Sequence, residues 1–216
     1  MNQDGFSGRR RFLRIGAAAG LALACGASRA LADSVPIATL MAEGPLPDVW
    51  LGPKDAPVTI IEYASMTCTH CAAFNAETWP TLKSKYIDTG KVRYTMREFP
   101  LDPLATAAFM LARCAGPDKR YAIIDLLFSQ QQNWAFVPKP VEALASTVKQ
   151  AGITQTDFET CLKDQKLYDQ VNKVRDDADK AFKVNATPTF FINGEKHAGE
   201  LTAAELDKIL APLVKS

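Results

Sequence analysis

Four consecutive residues, Cys68-Thr69-His70-Cys71, carry the chemistry most readily read from this chain. Two thiols three positions apart can close a disulfide across the first turn of a helix, a strained and therefore reducible arrangement. If the pair opens a helix, Cys68 meets unpaired backbone N–H groups and about half a positive charge. That environment stabilises a thiolate and lowers its pKa from about 8.5 to between about 3.5 and 7.5. His70 adds to this when protonated or when it donates a hydrogen bond. A stabilised thiolate favours the reduced form, which makes the oxidised form the stronger oxidant. The chemistry expected is thiol–disulfide exchange. A substrate thiolate attacks Cys68, a mixed disulfide forms, and a second substrate thiol releases it.

A Cys-x-x-Cys pair can also be half of a structural zinc site. No second ligand pair at zinc spacing follows, and His197 stands alone, so neither a metal nor another cofactor is expected. His197 itself reads as an exposed strand residue.

The dithiol needs a strand before it and a helix after it, and the pattern supplies both. Residues 58–63 (Val-Thr-Ile-Ile-Glu-Tyr) are rich in β-branched side chains and nearly continuous in hydrophobicity, which suits a buried strand. A helical stretch runs from the dithiol to about Tyr86, and residues 91–99 read as a second strand with Val92, Tyr94 and Met96 on one side. Upstream, residues 33–47 contain three prolines and read as an extended lead-in, and residues 48–51 as a short strand closed by Gly52-Pro53.

From Pro103 to about Phe182 the signal becomes helix after helix. Five are expected, broken by Gly116-Pro117 and Gly152, with Thr154 as an N-cap. Strand signal returns over residues 189–192, Asn193-Gly194 forms a hairpin turn, and residues 195–198 complete it. Residues 202–214 close the chain as an amphipathic helix, with Thr202 and Glu205 spaced as a capping box. The order implies an α/β fold in which residues 48–101 and 183–216 form one discontinuous domain, with residues 102–182 inserted as an all-helical block.

The first 32 residues read as an address. Arg9, Arg10, Arg11 and Arg14 precede a short apolar run, residues 15–27, too short for a membrane-crossing helix of about 20 residues. Ala30-Leu31-Ala32 offers a peptidase site, with cleavage expected after Ala32. Residues 8–14, Gly-Arg-Arg-Arg-Phe-Leu-Arg, resemble the twin-arginine export motif, with Gly8 where Ser or Thr usually stands. An uncleaved anchor is the alternative, and acylation at Cys25 fits poorly. Cleavage would leave 20 basic and 23 acidic residues, a net charge of −3, and four cysteines. In an oxidising compartment such as the periplasm, four cysteines suggest disulfide chemistry. The charge balance of the whole chain, +1, argues against nucleic acid as a partner.

The sequence resembles the DsbA family of exported disulfide-forming enzymes. Glu62, six positions before Cys68-Thr69-His70-Cys71, matches the family's Glu and Cys-x-His-Cys, with Thr69 where the family more often has Pro. Thr187-Pro188 before a strand resembles the family's cis-proline loop. The resemblance covers most of residues 48–214 and implies a thioredoxin fold carrying a helical insertion. It further implies that His70 tunes the thiolate, that Glu62 moves a proton at the buried cysteine, and that Thr187, Pro188 and Thr69 meet the substrate. The implied protein is a monomer that oxidises newly exported proteins bearing free thiols and is itself reoxidised by a DsbB-like membrane partner. An isomerase or reductase, and a chaperone-like binding module with an incidental dithiol, remain as alternatives.

Cys114 shares a helical face with Ala107, Met110 and Leu111, and Cys161 shares one with Phe158 and Leu162. Both are expected inside the helical block, either as buried free thiols or joined as a structural disulfide.

Overall fold

The structure is a computed structural model and describes residues 34–214. The expected leader, residues 1–32, lies outside them. A lead-in segment carries one turn of helix, α1 (Ile37–Leu40), and is followed by β1 (Val58–Ala64), α2 (Thr69–Glu77) and α3 (Trp79–Thr81). A π-helical turn (Leu82–Ile87) leads to β2 (Val92–Glu98). Six helices follow: α4 (Pro103–Cys114), α5 (Pro117–Ser129), α6 (Gln131–Trp134), α7 (Pro140–Lys149), α8 (Gln155–Leu162) and α9 (Gln165–Phe182). The hairpin β3 (Thr189–Ile192) and β4 (Glu195–Ala198) and the helix α10 (Ala203–Leu213) complete the chain. The fold is thioredoxin-like, with a mixed sheet and an added helical block.

The sheet order is β2-β1-β3-β4. β1 runs parallel to β2, from Val58↔Val92 to Ala64↔Glu98, and antiparallel to β3, from Ile60↔Ile192 to Tyr63↔Thr189. Alternation along β1 splits its side chains between two cores. Val58, Ile60 and Ala64 join Tyr94, Met96, Phe190, Phe74 of α2 and Leu206 of α10 on one face. Ile61 and Tyr63 join Phe191, Leu40, Val174 and Ala178 on the other. Glu62 has the parity of Ile60 and Ala64, so the pleat sends it to the face that carries α2. Each large side chain buried in these cores contributes roughly 1.5–3 kcal/mol.

The helical block is fastened to the sheet by a buried ionic group. Glu98 at the end of β2 accepts from Arg113 of α4 at 2.7 Å and from Arg120 of α5 at 2.8 Å. Burial would raise its pKa, but the two guanidinium groups hold it at about 2. Removing one partner from such a buried group costs about 3–5 kcal/mol, because an uncompensated charge is left behind.

Several elements differ from what the sequence suggests. Residues 48–51 form no strand; only Leu51 bridges to Tyr94. The turn that follows forbids extension, since Gly52 has φ +81° and a Cβ there would lie 2.2 Å from the Val92 carbonyl oxygen. The helical stretch expected to reach about Tyr86 is present in three consecutive pieces, α2, α3 and the π-helical turn, with a break at Thr78 just before Pro80, which cannot donate a ladder hydrogen bond. The lead-in is not wholly extended, as α1 tucks Leu40 into the second core. The block also contains one more helix than expected, α6. Its last helix, α9, lies on the sheet itself, where its Val174 and Ala178 pack with Tyr63 and Phe191.

The structure joins Cys114 of α4 to Cys161 of α8, with their Cα atoms 6.1 Å apart. Cys161 is buried, but Cys114 is exposed, against expectation. Cys114 is the last residue of α4, where the helix leaves the packed interior, so the face it shares with Leu111 no longer hides it. His197 departs in the other direction: its side chain is only 19% exposed, and its buried Nε2 makes no hydrogen bond and lies 3.9 Å from Glu195 Oε1.

Candidate active site

Cys68 is the N-cap of α2, with extended backbone (φ −82°, ψ 121°), and its sulfur accepts the Cys71 N–H at 3.4 Å. The sulfur therefore does the work that a serine or aspartate oxygen does at other helix starts. Cys68 is 8% exposed and Cys71 is fully buried, so attack from outside falls on Cys68. Both are free thiols in this structure.

The Thr187–Pro188 peptide is cis and faces the dithiol across 119 positions of sequence. The Cys68 thiol lies 3.2 Å from the Thr187 carbonyl, which accepts from it. The Thr187 hydroxyl is buried without a fixed partner, free to turn its proton to a thiolate. On the other side of the loop, Gly199 N–H donates to the Pro188 carbonyl at 2.8 Å, which ties the loop to the end of β4.

These groups set the thiol chemistry. The Cys68 pKa falls from 9.0 to about 5, chiefly through a hydrogen bond from the Cys71 thiol. Burial opposes the fall; the Thr187 side chain and the backbone N–H groups of Cys71 and His70 support it. The Cys71 thiol is pushed up by burial first, then by Cys68 and by Glu62. The two sulfurs thus have opposed acidities, one poised to be a thiolate and the other to hold its proton.

Glu62 is completely buried two residues before the end of β1, in a crevice that also takes in Cys71, Asn75, Tyr94 and Asp125. Its Oε2 accepts from the Tyr94 hydroxyl at 2.5 Å, and its Oε1 has no partner. Burial raises its pKa from 4.5 to about 8, with the Tyr94 hydroxyl opposing and the Cys68 charge assisting. At neutral pH the carboxyl is therefore mostly protonated, a proton store beside the buried sulfur.

The structure gathers Cys68, Cys71, Glu62, Thr187 and Pro188 into one site. Thr69 is exposed at the first position of α2, on the solvent side of the dithiol. The His70 imidazole is also at the surface, and its Nδ1 lies 3.1 Å from Glu200 Oε2. Sequence reasoning missed two of these partners. Tyr94 was legible only as an inward strand residue, and Glu200 sits in the loop before α10 with no pattern to mark it. Among the described residues no group of three or more His, Cys, Asp or Glu side chains is placed to hold a metal ion.

A thioredoxin-like fold whose dithiol caps a helix opposite a cis-proline is fitted for thiol–disulfide exchange. The comparisons with known proteins agree, and the chain belongs to the thioredoxin family, whose model matches residues 46–211. It is 35% identical over 167 residues to a Rickettsia bellii protein named as a protein-disulfide oxidoreductase, covering 76% of this chain and 64% of that one. The crystal structure of Wolbachia pipientis alpha-DsbA1 superposes with a TM-score of 0.75 at 31% identity, covering 82% of this chain and 95% of that one. A protein-disulfide isomerase from Novosphingobium aromaticivorans superposes with a TM-score of 0.69 at 25% identity, covering 78% of this chain and 99% of that one. The chain spans just under two thirds of the length of the rickettsial relative.

Proposed function

We propose that this chain is a periplasmic thiol–disulfide oxidoreductase that donates disulfides to newly exported proteins through Cys68 and Cys71. The observation that carries the reading is the Cys68 sulfur capping α2 opposite the cis Thr187–Pro188 peptide, with the Cys71 N–H at 3.4 Å, because a thiolate stabilised there favours the reduced form and makes the disulfide the stronger oxidant. In the oxidised protein a substrate thiolate attacks the Cys68 sulfur, the Cys68–Cys71 bond breaks, and Cys71 leaves as a thiolate. Protonated Glu62, beside it, supplies the proton. A second substrate thiolate then attacks the substrate sulfur of the mixed disulfide, and Cys68 leaves as a stabilised thiolate. Two electrons pass from the substrate dithiol to the protein, and one disulfide forms in the substrate.

His70 tunes the thiolate, Thr187 and cis-Pro188 present the substrate-facing edge with Thr69 beside them, and Cys114–Cys161 braces the helical block. The protein acts as a monomer. A DsbB-like membrane partner takes the two electrons back from the dithiol. The twin-arginine-like leader, removed after Ala32, directs export. Among the described residues no helix is long and apolar enough to cross a membrane.

The reduction potential against glutathione tests the reading. A value near about −120 mV fits a disulfide donor, and a value near about −270 mV would make the protein a reductase. Cys68→Ser separates catalysis from holding: it abolishes oxidation of a reduced model substrate, whereas a chaperone-like module would keep its full effect on that substrate.

A further inference from the structure

The loop that delivers Cys68 takes part of its backbone pairing from the helical block. Between the end of β1 and the start of α2, the carbonyls of Met66 and Cys68 both accept from one side chain, Gln131 Nε2, each at 2.9 Å. The Cys68 carbonyl also accepts the Ala72 N–H at 3.2 Å, the bond that closes the first turn of α2. Gln131 opens α6 and is 2% exposed. Three residues on, the fully buried Trp134 donates its Nε1–H to the Leu127 carbonyl at 2.8 Å, which pins α6 to α5.

The amide is not there to fill space. Leu or Met would occupy a similar volume without burying a polar group, and burial of an amide is unfavourable unless its hydrogens are used. Both hydrogens are used here, and both on the segment that carries the nucleophile. The Gln131 Oε1 is buried with no partner, so the residue bears a desolvation cost that packing alone does not explain.

We propose that Gln131 is a positioning residue of the redox site, holding the Cys68 turn so that the Cys71 N–H and Thr187 meet its sulfur. Through it the helical block sets the oxidising strength of the dithiol. The proposal rests on thiol–disulfide exchange at Cys68. The effect is specific to one redox state. In the oxidised protein the Cys68–Cys71 bond itself fixes the turn. In the reduced protein only hydrogen bonds do, and the thiolate depends on their geometry. Loss of the Gln131 tie therefore destabilises the reduced form more than the oxidised form.

The experiment compares the mature chain with Gln131→Met, which keeps length and removes both donors. Three quantities are measured: the equilibrium with glutathione, the 240 nm thiolate titration, and urea unfolding of each redox form. The equilibrium is expected to shift at least threefold toward the oxidised protein, the Cys68 titration to move to higher pH, and the reduced form to lose more stability. Equal losses in both forms with an unchanged equilibrium would overturn the proposal and leave Gln131 as packing. A measurement on the unaltered protein stands even where the variant fails to fold. The two side-chain amide protons of Gln131 should exchange slowly with solvent and shift when the dithiol is reduced. Fast exchange, or identical shifts in the two redox forms, would equally overturn it. The thiolate titration reads Cys68 whether the protein is a disulfide donor or a reductase, so failure here is distinct from failure of the functional reading.

Discussion

His70 Nδ1 and Glu200 Oε2 stand 3.1 Å apart although 130 positions separate them in sequence. The imidazole between the two cysteines is thus held by the loop before α10, while the backbone N–H of the same residue supports the Cys68 thiolate. Glu200 has no direct bond to either sulfur, so its influence on the dithiol runs through the imidazole. His70→Ala should make the protein a weaker oxidant. Glu200→Gln should change the potential less, and in the His70→Ala background by under about 10 mV, roughly 0.5 kcal/mol for a two-electron couple. Four potentials close this cycle. A full-sized Glu200 effect in the absence of the imidazole would show that the carboxylate acts on the thiolate directly.

The potential should also depend on pH with a slope set by the sulfurs. Cys68 titrates at about 5 and Cys71 well above the usual thiol range. Between those values reduction takes up one proton for two electrons, so the potential should fall by about 30 mV per pH unit; below pH 5 two protons are taken up and the slope doubles. In stability terms the depressed Cys68 pKa favours the folded reduced form. That contribution is complete above pH 9 and is lost as pH falls through about 5. The oxidised form has no such term. A potential that changes by about 60 mV per unit from pH 6 to pH 8 would contradict the Cys68 assignment.

Glu62 predicts the opposite sign. Its folded pKa of about 8 lies above the ordinary 4.5 of an unfolded chain, so between those values the folded protein keeps a proton that the unfolded chain has released. Stability from this group falls as pH rises from about 4.5 and levels off above about 8. Glu62→Gln removes that dependence. Relative to the variant, the unaltered protein should lose at least about 1.4 kcal/mol across the window, the equivalent of one pKa unit. Urea unfolding at pH 4.5, 6 and 8 measures it, and parallel profiles would refute it. The same variant should slow formation of the mixed disulfide, since the proton that meets the departing Cys71 thiolate is gone.

The bridge between α4 and α8 joins residues 47 positions apart. On the chain-entropy model a loop of that size contributes about 4 kcal/mol, and strain commonly brings measured values nearer 2. Replacing Cys114 and Cys161 together by Ser should lower unfolding stability by roughly that range and leave the dithiol potential nearly unchanged. Because Cys114 is exposed, graded dithiothreitol should open this bridge from that side, after Cys68–Cys71. Alkylation and mass spectrometry follow both. A stability loss below about 1 kcal/mol would mean that the bridge does little for the fold.

The parts of this site that are local in sequence could be read there. The dithiol is a four-residue pattern, and the Thr154 N-cap and the Thr202/Glu205 capping box are each set within one turn. The residues that finish the site are local only in space. Tyr94 reaches Glu62 because β1 and β2 run parallel in a register that pairs Glu62 with Met96, and no periodicity within one strand reveals that. Gln131 sits in a four-residue helix too short to show a period. The exposure of Cys114 depends on where α4 ends relative to its neighbours, a matter of packing and not of pattern. Likewise α9 reads as one more helix of the block, and only the fold reveals that it covers the sheet.

The Cys68 sulfur meets the Thr187 carbonyl, 119 positions away, and β1 borders β3 from the far end of the chain. Such pairings raise contact order, and they form only after a long loop has closed, a step whose entropy grows slowly with length. A chain that has emerged as far as α5 already carries its nucleophile but lacks the carbonyl, the hydroxyl and the proline that face it. Reactivity at the sulfur is therefore tied to completion of the fold. An unfinished molecule carries its sulfur without the groups that complete the site.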